Sequence, residues 1–281
     1  MTSEIKEPAF YSQEDMLYMA KKVGRYRDSI NGLKLKANIL IFSYNRPKML
    51  REAVDSVLNH RYGNFDLFIV DDGSDFDVQG FADSFGDDRI LTACASKISF
   101  EERAEVSRLG SNANAVIETI PDEEPVYYLC DDDVMGDHWL ARSIRTFDMM
   151  PEIHIVTGES WSFDDGQDYR SESIYGMKVS KEPTMLTTYW STGSFAHKAL
   201  CCKQEGLWWT DNTHLHSQDC NFIMDMWMAH SDFGSVASPA FYRREHENTL
   251  SAKLGRKDEN GKYEAGYLPP PATKQMLERM E

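Results

Sequence analysis

Apolar residues fall along this chain in short unbroken runs, each followed by acidic, polar or glycine residues and then by a helix-spaced pattern. Residues 37–42 (ANILIF) are the first such run, and a continuous apolar stretch of that kind marks a strand covered on both faces. A polar turn follows, then Pro47 at a first helical position and Leu50, Val54, Val57 and Leu58 along one helix face. Residues 65–75 (FDLFIVDDGSD) repeat the strand-then-acid order. Strand, helix and strand at this spacing predict a right-handed βαβ unit and hence a parallel sheet.

The alternation continues downstream. It predicts a strand near 89–92, helices around 99–109 and 112–120, a strand at 126–130 (VYYLC), a helix at 138–150 stopped by Pro151, a strand at 154–159 and a helix from about Gln218. Upstream, Met16, Leu17, Met19, Ala20 and Val23 outline an amphipathic helix closed by Asn31-Gly32, while 166–183 is polar and irregular. These patterns predict an α/β protein with a helical extension at 1–34 and a main domain at 35–251. The main domain divides into halves of about 35–135 and 136–251. The charged, glycine- and proline-rich stretch 252–281 is expected to be a tail with a short helix after Ala272.

A hydrophobic share of 41% in 281 residues suffices for a large core, and 30 basic against 46 acidic residues give a net charge of −16. Such a surface repels polyanions, so any nucleic-acid contact would be local. The odd set of five cysteines lacks spaced CxxC pairs, which points to reduced thiols. With no leader pattern and no apolar run long enough for a bilayer, a soluble cytoplasmic protein is expected.

Parallel sheets open their ligand crevice at the strand ends, so the residues just after each run carry most weight. These are Ser43, Tyr44, Asn45 and Arg46, then Asp71 and Asp72, then Asp131, Asp132 and Asp133. One edge thus collects five aspartates, an arginine and an aromatic. It is too acidic for a free phosphate, but a divalent cation would bridge acids to a diphosphate. The glycine cradles are missing: there is no GxGxxG, and GRKDENGK (255–262) has the wrong spacing for a P-loop. Taken singly each element has a bland reading, since DDGS is ordinary turn composition and Asn45, Asn114 or Asp219 would serve as helix caps.

The segments ILIFSYNRP, LFIVDDGS, YLCDDDVM, SQDCNFIMDMW and FYRREHENTLS occur in that order over about 35–251. Together they resemble the motif series of family 2 glycosyltransferases of the GT-A type, a Rossmann-like α/β sandwich with a mainly parallel central sheet flanked by helices. The resemblance implies transfer of a sugar from a nucleotide sugar, commonly a UDP-sugar, to an acceptor hydroxyl with inversion, assisted by Mn²⁺ or Mg²⁺. By position, Tyr44 and Asp72 would hold the nucleotide base, with Ser43, Asn45, Arg46 and Asp71 beside them. Asn114 in SNANAV would lie near the nucleotide, and Arg243 near the diphosphate. Asp131, Asp132 and Asp133 would hold the metal, with His246 reaching the metal or the diphosphate. Asp219 occupies the place of the acid in the family's ED motif and would be the catalytic base, although Gln218 precedes it instead of glutamate.

The metal motif departs from the usual D-x-D-D, because Cys130 stands where its first aspartate would fall. Alignment favours Asp132, whereas strand alternation favours Asp131 and Asp133 as one face. Adjacent Trp208 and Trp209 cannot both face inward on a strand, so one is expected to line an acceptor pocket. The acceptor class stays open among glycans, lipid-linked sugars, proteins and modified DNA bases, the last disfavoured by the acidic balance. Two other functions compete: a nucleotidyltransferase releasing pyrophosphate, and a non-catalytic nucleotide-sugar binder, to which Cys130 and Gln218 lend support.

Overall fold

The apolar run at the start of the main domain becomes the central strand β1 (Ala37–Ser43), all seven of whose residues are buried. A computed structural model describes residues 32–99, 102, 108–165, 175–176, 191–210, 218–230 and 233–246. After β1 come α1 (Pro47–Leu58), β2 (Phe65–Asp71), α2 (Val78–Asp83), β3 (Ile90–Cys94), α3 (Leu109–Ile117) and β4 (Pro125–Cys130). The second half holds β5 (Val134–Met135), α4 (Trp139–Met149), β6 (Ile155–Asp164), β7 (Tyr175–Gly176), β8 (Phe195–Lys198), α5 (Leu200–Lys203), α6 (Gln218–Ala229) and β9 (Gly234–Glu245). The expected helix at 12–30, the tail at 252–281, most of the helix at 99–109 and most of 166–183 lie outside the described residues.

The strands form one sheet in the order β3-β2-β1-β4-β8-β6-β9-β5, with β7 on β6. β3, β2, β1 and β4 are parallel, with Ser43 level with Asp71 and Phe42 level with Cys130. The chain therefore steps outward from β1 to β3 and returns to the other side of β1 as β4. That reversal is a topological switch point, where crevices open beyond the carboxyl ends of strands. β8 runs antiparallel to both β4 and β6, β9 is parallel to β6, and β5 is antiparallel to β9. An α/β fold with a mainly parallel sheet matches the sequence expectation.

Local chemistry explains the elements nearest the crevice. Pro47 opens α1, where a missing N–H costs nothing, and Leu50, Ala53, Val54 and Val57 bury its apolar face. β9 is not legible as a strand in the sequence, because proline is disfavoured inside a ladder and this segment carries Pro239 at its middle. The ladder accommodates that proline by shifting register opposite Glu159. Gly136 is required beside it, since a Cβ there would meet the Pro239 carbonyl oxygen at 2.0 Å.

A buried aromatic group locks α6 to the sheet. Trp209 stacks on Phe222 of α6 with centroids 4.4 Å apart, and its Nε1 donates to the Tyr128 hydroxyl at 3.0 Å. His197 Nδ1 lies 2.8 Å from the Lys198 carbonyl, which can only accept, so Nδ1 carries the proton. Nε2 then accepts from Tyr128 Oη at 2.6 Å, completing the chain Trp209, Tyr128, His197. Among the described residues no helix is long and apolar enough to cross a membrane.

Candidate active site at the switch point

The carboxyl ends of β1 and β4 carry the two halves of the site. β4 stops at Cys130, and the Asp133 N–H closes a turn on the Cys130 carbonyl at 3.1 Å. The aspartate run is thus a turn, so strand alternation does not govern it, and the expected shared face of Asp131 and Asp133 has no basis there. Asp131 turns back to β1: its Oδ2 accepts from the Tyr44 N–H at 2.9 Å and its Oδ1 from Arg46 Nη1 at 3.0 Å. The same Arg46 nitrogen donates to Asp132 Oδ2 at 2.6 Å.

His246 arrives from the end of β9 with its side chain only 2% exposed, and its Nε2 lies 3.0 Å from Asp132 Oδ2. Asp133 Oδ1 accepts from the Arg244 backbone N–H at 3.1 Å. Arg244 is the buried organiser of this loop. Its Nε donates to the Asp132 carbonyl at 3.1 Å, its Nη1 pairs with Asp165 at 2.9 Å, its Nη2 pairs with Glu52, and its guanidinium lies over Phe163. In the sequence alone, RREHE reads as a solvated charge run. Alternation along β9 is the signal that corrects this, since it puts Arg244 inward and Arg243 and Glu245 outward. Arg243 is exposed and pairs with Glu245 at 3.4 Å, while its charge still acts on Asp133.

The electrostatics show what the cluster lacks. Burial raises the Asp131 carboxyl to about 7, against the pull of Arg46 and with a push from Asp132. Burial and then Asp132 raise Asp133 well above the carboxylate range. Burial pushes the Cys130 thiol up strongly, followed by the charges of Asp133, Asp132, Asp131 and Asp219. Buried carboxyls raised in this way are short of positive charge, which a cation would supply. Ligand atoms of Cys130, Asp132 and Asp133 all lie within 4.8 Å of one another. Neighbouring ligands of an octahedral cation bonded at about 2.1 Å stand about 3.0 Å apart. The hydrogen-bonded pair His246 Nε2 and Asp132 Oδ2, 3.0 Å apart, has that spacing. The donor set therefore suits a hard or borderline divalent ion, with Asp132 and Asp133 grouped at the Cys130 turn, His246 against Asp132, and Arg46 bridging Asp131 and Asp132.

Asp219 sits in the first turn of α6, and Thr192 Oγ1 donates to its Oδ2 at 3.3 Å. The Asp219 charge acts on the Cys130 thiol, less strongly than those of Asp133, Asp132 and Asp131.

Other expected residues serve different ends. Asp71 is buried and folds its own turn, accepting from the N–H groups of Gly73 at 2.9 Å and Ser74 at 2.8 Å. Asn45, in the left-handed region at φ 53°, bonds Asp75 in both directions and joins the β1 and β2 loops. Ser43 is buried at the end of β1. Asp72 lies on the rim, paired with Arg108 Nη2 at 2.6 Å and approached by Asn112 Nδ2 at 3.3 Å. Asn114 spends both ends of its amide on the Trp209 backbone, at 2.8 and 3.2 Å, so Asn112 is the asparagine of SNANAV that reaches the Asp72 edge. Trp209 is 2% exposed in the core, leaving half-buried Trp208 as the tryptophan of the pair with accessible surface.

A mostly parallel sheet with acids, arginine and histidine gathered at its switch point defines a GT-A type α/β protein. The family model for glycosyl transferase family 2 matches residues 38–208, and the chain belongs to that family. Protein CgeD of Bacillus subtilis (strain 168) is 28% identical over 121 residues, covering 43% of this chain and 28% of CgeD. S. aureus TarS 1-349, solved in complex with UDP-GlcNAc, superposes with a TM-score of 0.64 at 12% identity, covering 88% of this chain and 65% of that one. The mannosyltransferase PcManGT from Pyrobaculum calidifontis, solved with GDP-Man and Mn²⁺, gives a TM-score of 0.53 at 12% identity, covering 86% and 67%. At such identities the likeness speaks for the fold. The chain spans less than a third of CgeD and just under two thirds of the TarS fragment.

Proposed function

We propose that this chain is a cation-dependent, inverting glycosyltransferase that moves a sugar from a nucleotide sugar, a UDP-sugar in the first instance, to an acceptor hydroxyl. Residues of about 35–135 bind the nucleotide sugar, and those of about 136–251 receive the acceptor. The observation that supports this most is the hydrogen-bonded gathering of Arg46, Asp131, Asp132 and His246 at the switch point, with Asp133 held beside them by the Arg244 backbone. The charge of Asp219 in α6 also acts on Cys130 at the end of β4, which supports a base working beside the cation. The Asp72 rim, with Arg108 and Asn112, faces the nucleoside, and Tyr44 and Arg46 form the wall between it and the acids.

Asp132 and His246, with Asp133, would hold Mn²⁺ or Mg²⁺, which supplies Lewis-acid neutralisation of the departing diphosphate. Arg46 shares the Asp132 Oδ2 oxygen with His246, and Arg243 offers a further positive charge at the rim. Asp219, oriented by Thr192, takes the acceptor's proton, a contribution of about 10²–10⁴-fold. A single base acting on the acceptor hydroxyl implies direct displacement, hence inversion.

The test measures nucleoside diphosphate release from UDP- and GDP-sugars with Mn²⁺, with and without chelator, and the anomeric configuration of the product by NMR. Asp219→Asn is expected to leave donor Kd within about threefold while turnover falls about 10²–10⁴-fold. Unchanged turnover rejects Asp219 as the base, and chelator-indifferent activity rejects the cation. Release of pyrophosphate would instead identify a nucleotidyltransferase, and donor binding without turnover on any acceptor a non-catalytic binder.

A further inference from the structure

A second group of ligand-type side chains lies at the opposite edge of the sheet. His154 immediately precedes β6, Cys201 is in α5, Glu205 follows that helix, and His230 comes just after α6. β6 runs in the same direction as β4 (both are antiparallel to β8), so its start is at the edge away from the aspartate turn. One ligand atom from each of these four residues lies within 4.8 Å of the other three.

Their geometry is that of side chains sharing a centre. His154 Nδ1 is 3.2 Å from Glu205 Oε1, and His230 Nε2 is 2.8 Å from Glu205 Oε2. Yet both nitrogens are buried and make no hydrogen bond among the described residues, although each lies at ion-pair distance from Glu205. The two imidazoles stand at 74° with centroids 5.1 Å apart, so they neither stack nor bond each other. Cys201 is fully buried beneath them, its Sγ 3.9 Å from the His154 carbonyl. Leaving two buried ring nitrogens unbonded costs about 1–3 kcal/mol each. A shared ion removes that cost, because ligands of one ion point at it and not at one another.

We propose that His154, Cys201, Glu205 and His230 form a structural zinc site. Two imidazoles, a thiolate and a carboxylate complete a four-coordinate shell, and bonds of about 2.0–2.3 Å put neighbouring ligands about 3.3–3.6 Å apart. The ligand atoms reach that spacing by small side-chain movements. Imidazole and thiolate select zinc over the oxygen-loving magnesium and manganese of the other site. Burial, and then the charge of Glu205, keep the Cys201 thiol protonated without an ion, so zinc uptake releases its proton. Glu205 is exposed and gives the ion a way in.

The site ties three segments together at the far end of α6. This helix carries Asp219 in its first turn, about 15 Å away along its axis, so the ion fixes the helix whose other end carries the proposed base.

The full chain, stripped with chelator, is titrated with Co²⁺ and then with Zn²⁺ in competition with a chromophoric chelator. The expected result is one tetrahedral Co²⁺ per chain with a near-ultraviolet thiolate charge-transfer band. That band survives Cys130→Ser, which removes the thiol at the switch point, and is lost in Cys201→Ser. Glu205→Gln, at an exposed position, and His230→Gln, at a half-buried one, lower Zn²⁺ affinity at least tenfold and abolish the zinc-induced rise in melting temperature. Octahedral Co²⁺ without the band, a band that follows Cys130, or Glu205 and His230 variants within twofold of wild type overturn the proposal. If Cys201→Ser fails to fold, the Glu205 and His230 variants decide by themselves. None of these readouts depends on glycosyl transfer, so failure of the zinc site and failure of the proposed activity are separable.

Discussion

Replacing Trp209 by alanine removes a ring that is 2% exposed and stacked at 4.4 Å on Phe222, with its edge toward Tyr128 and Phe42. Truncating a core tryptophan costs about 3–5 kcal/mol. The Tyr128 hydroxyl also loses its donor, but it keeps its bond to His197, so this adds about 1 kcal/mol. A loss of about 4–6 kcal/mol is a large part of a total stability of about 5–15 kcal/mol. At about 2–4 °C per kcal/mol for a domain of this size, melting should fall by about 10–20 °C. Trp209→Phe retains the stack and forfeits only the indole N–H, so it should cost about 1–2 kcal/mol. Phe222 lies one turn beyond Asp219 on α6, so the alanine variant should also lower turnover, by loosening the helix that carries the proposed base. Calorimetric melting together with acceptor and donor KM separates this from a sugar-stacking role. A Trp209→Ala protein that melts within about 2 °C of wild type but shows a raised acceptor KM would refute the core assignment and return the indole to the acceptor pocket.

Burial lowers both His60 and His197 to about 4, below the 6.5 they would have unfolded. The unfolded chain therefore binds more protons between those values, so stability is full above about pH 6.5 and falls toward about pH 4, by about 3 kcal/mol for each histidine. Both ring nitrogens of His60 lack hydrogen bonds among the described residues, so His60→Leu should remove its share of that fall in urea titrations on either side of this window; an unchanged pH slope would argue against a buried neutral ring. Arg46→Ala leaves Asp131 and Asp132 without their shared donor and should weaken nucleoside diphosphate binding in Mn²⁺ about tenfold by titration calorimetry, whereas an equal Kd would remove Arg46 from the site. At Gly73 (φ 81°) an added Cβ would come within 2.9 Å of the Lys97 and Ser96 backbone, so Gly73→Ala should cost about 2–3 kcal/mol in denaturant melts. Gly86→Ala, at φ 60° with open space around it, should cost only about 1 kcal/mol, and equal costs would show that the close approach contributes nothing.

Much of this protein is determined locally, and those parts are legible along the chain. The both-face burial of β1 and the buried run in β4 follow from unbroken apolar runs, and the start of α1 follows from Pro47. Parallel pairing then sends the acids after each run to one edge, so Tyr44, Arg46, Asp72 and Asp131–Asp133 can be named from the chain alone. Which acid does what depends on where β4 lets go of β1, and that is a matter of pairing with Phe42, invisible to periodicity. The choices between Asn112 and Asn114, Trp208 and Trp209, and Arg243 and Arg244 are of the same kind. Each is between residues of one type, and only the packing of another segment distinguishes them. The four residues from His154 to His230 show the limit most clearly. They carry no motif spacing, because β8 wedged between β4 and β6, and α6 lying beyond it, bring them together across the fold. Local pattern settles which backbone forms and which edge opens; contact between distant segments settles what each side chain touches.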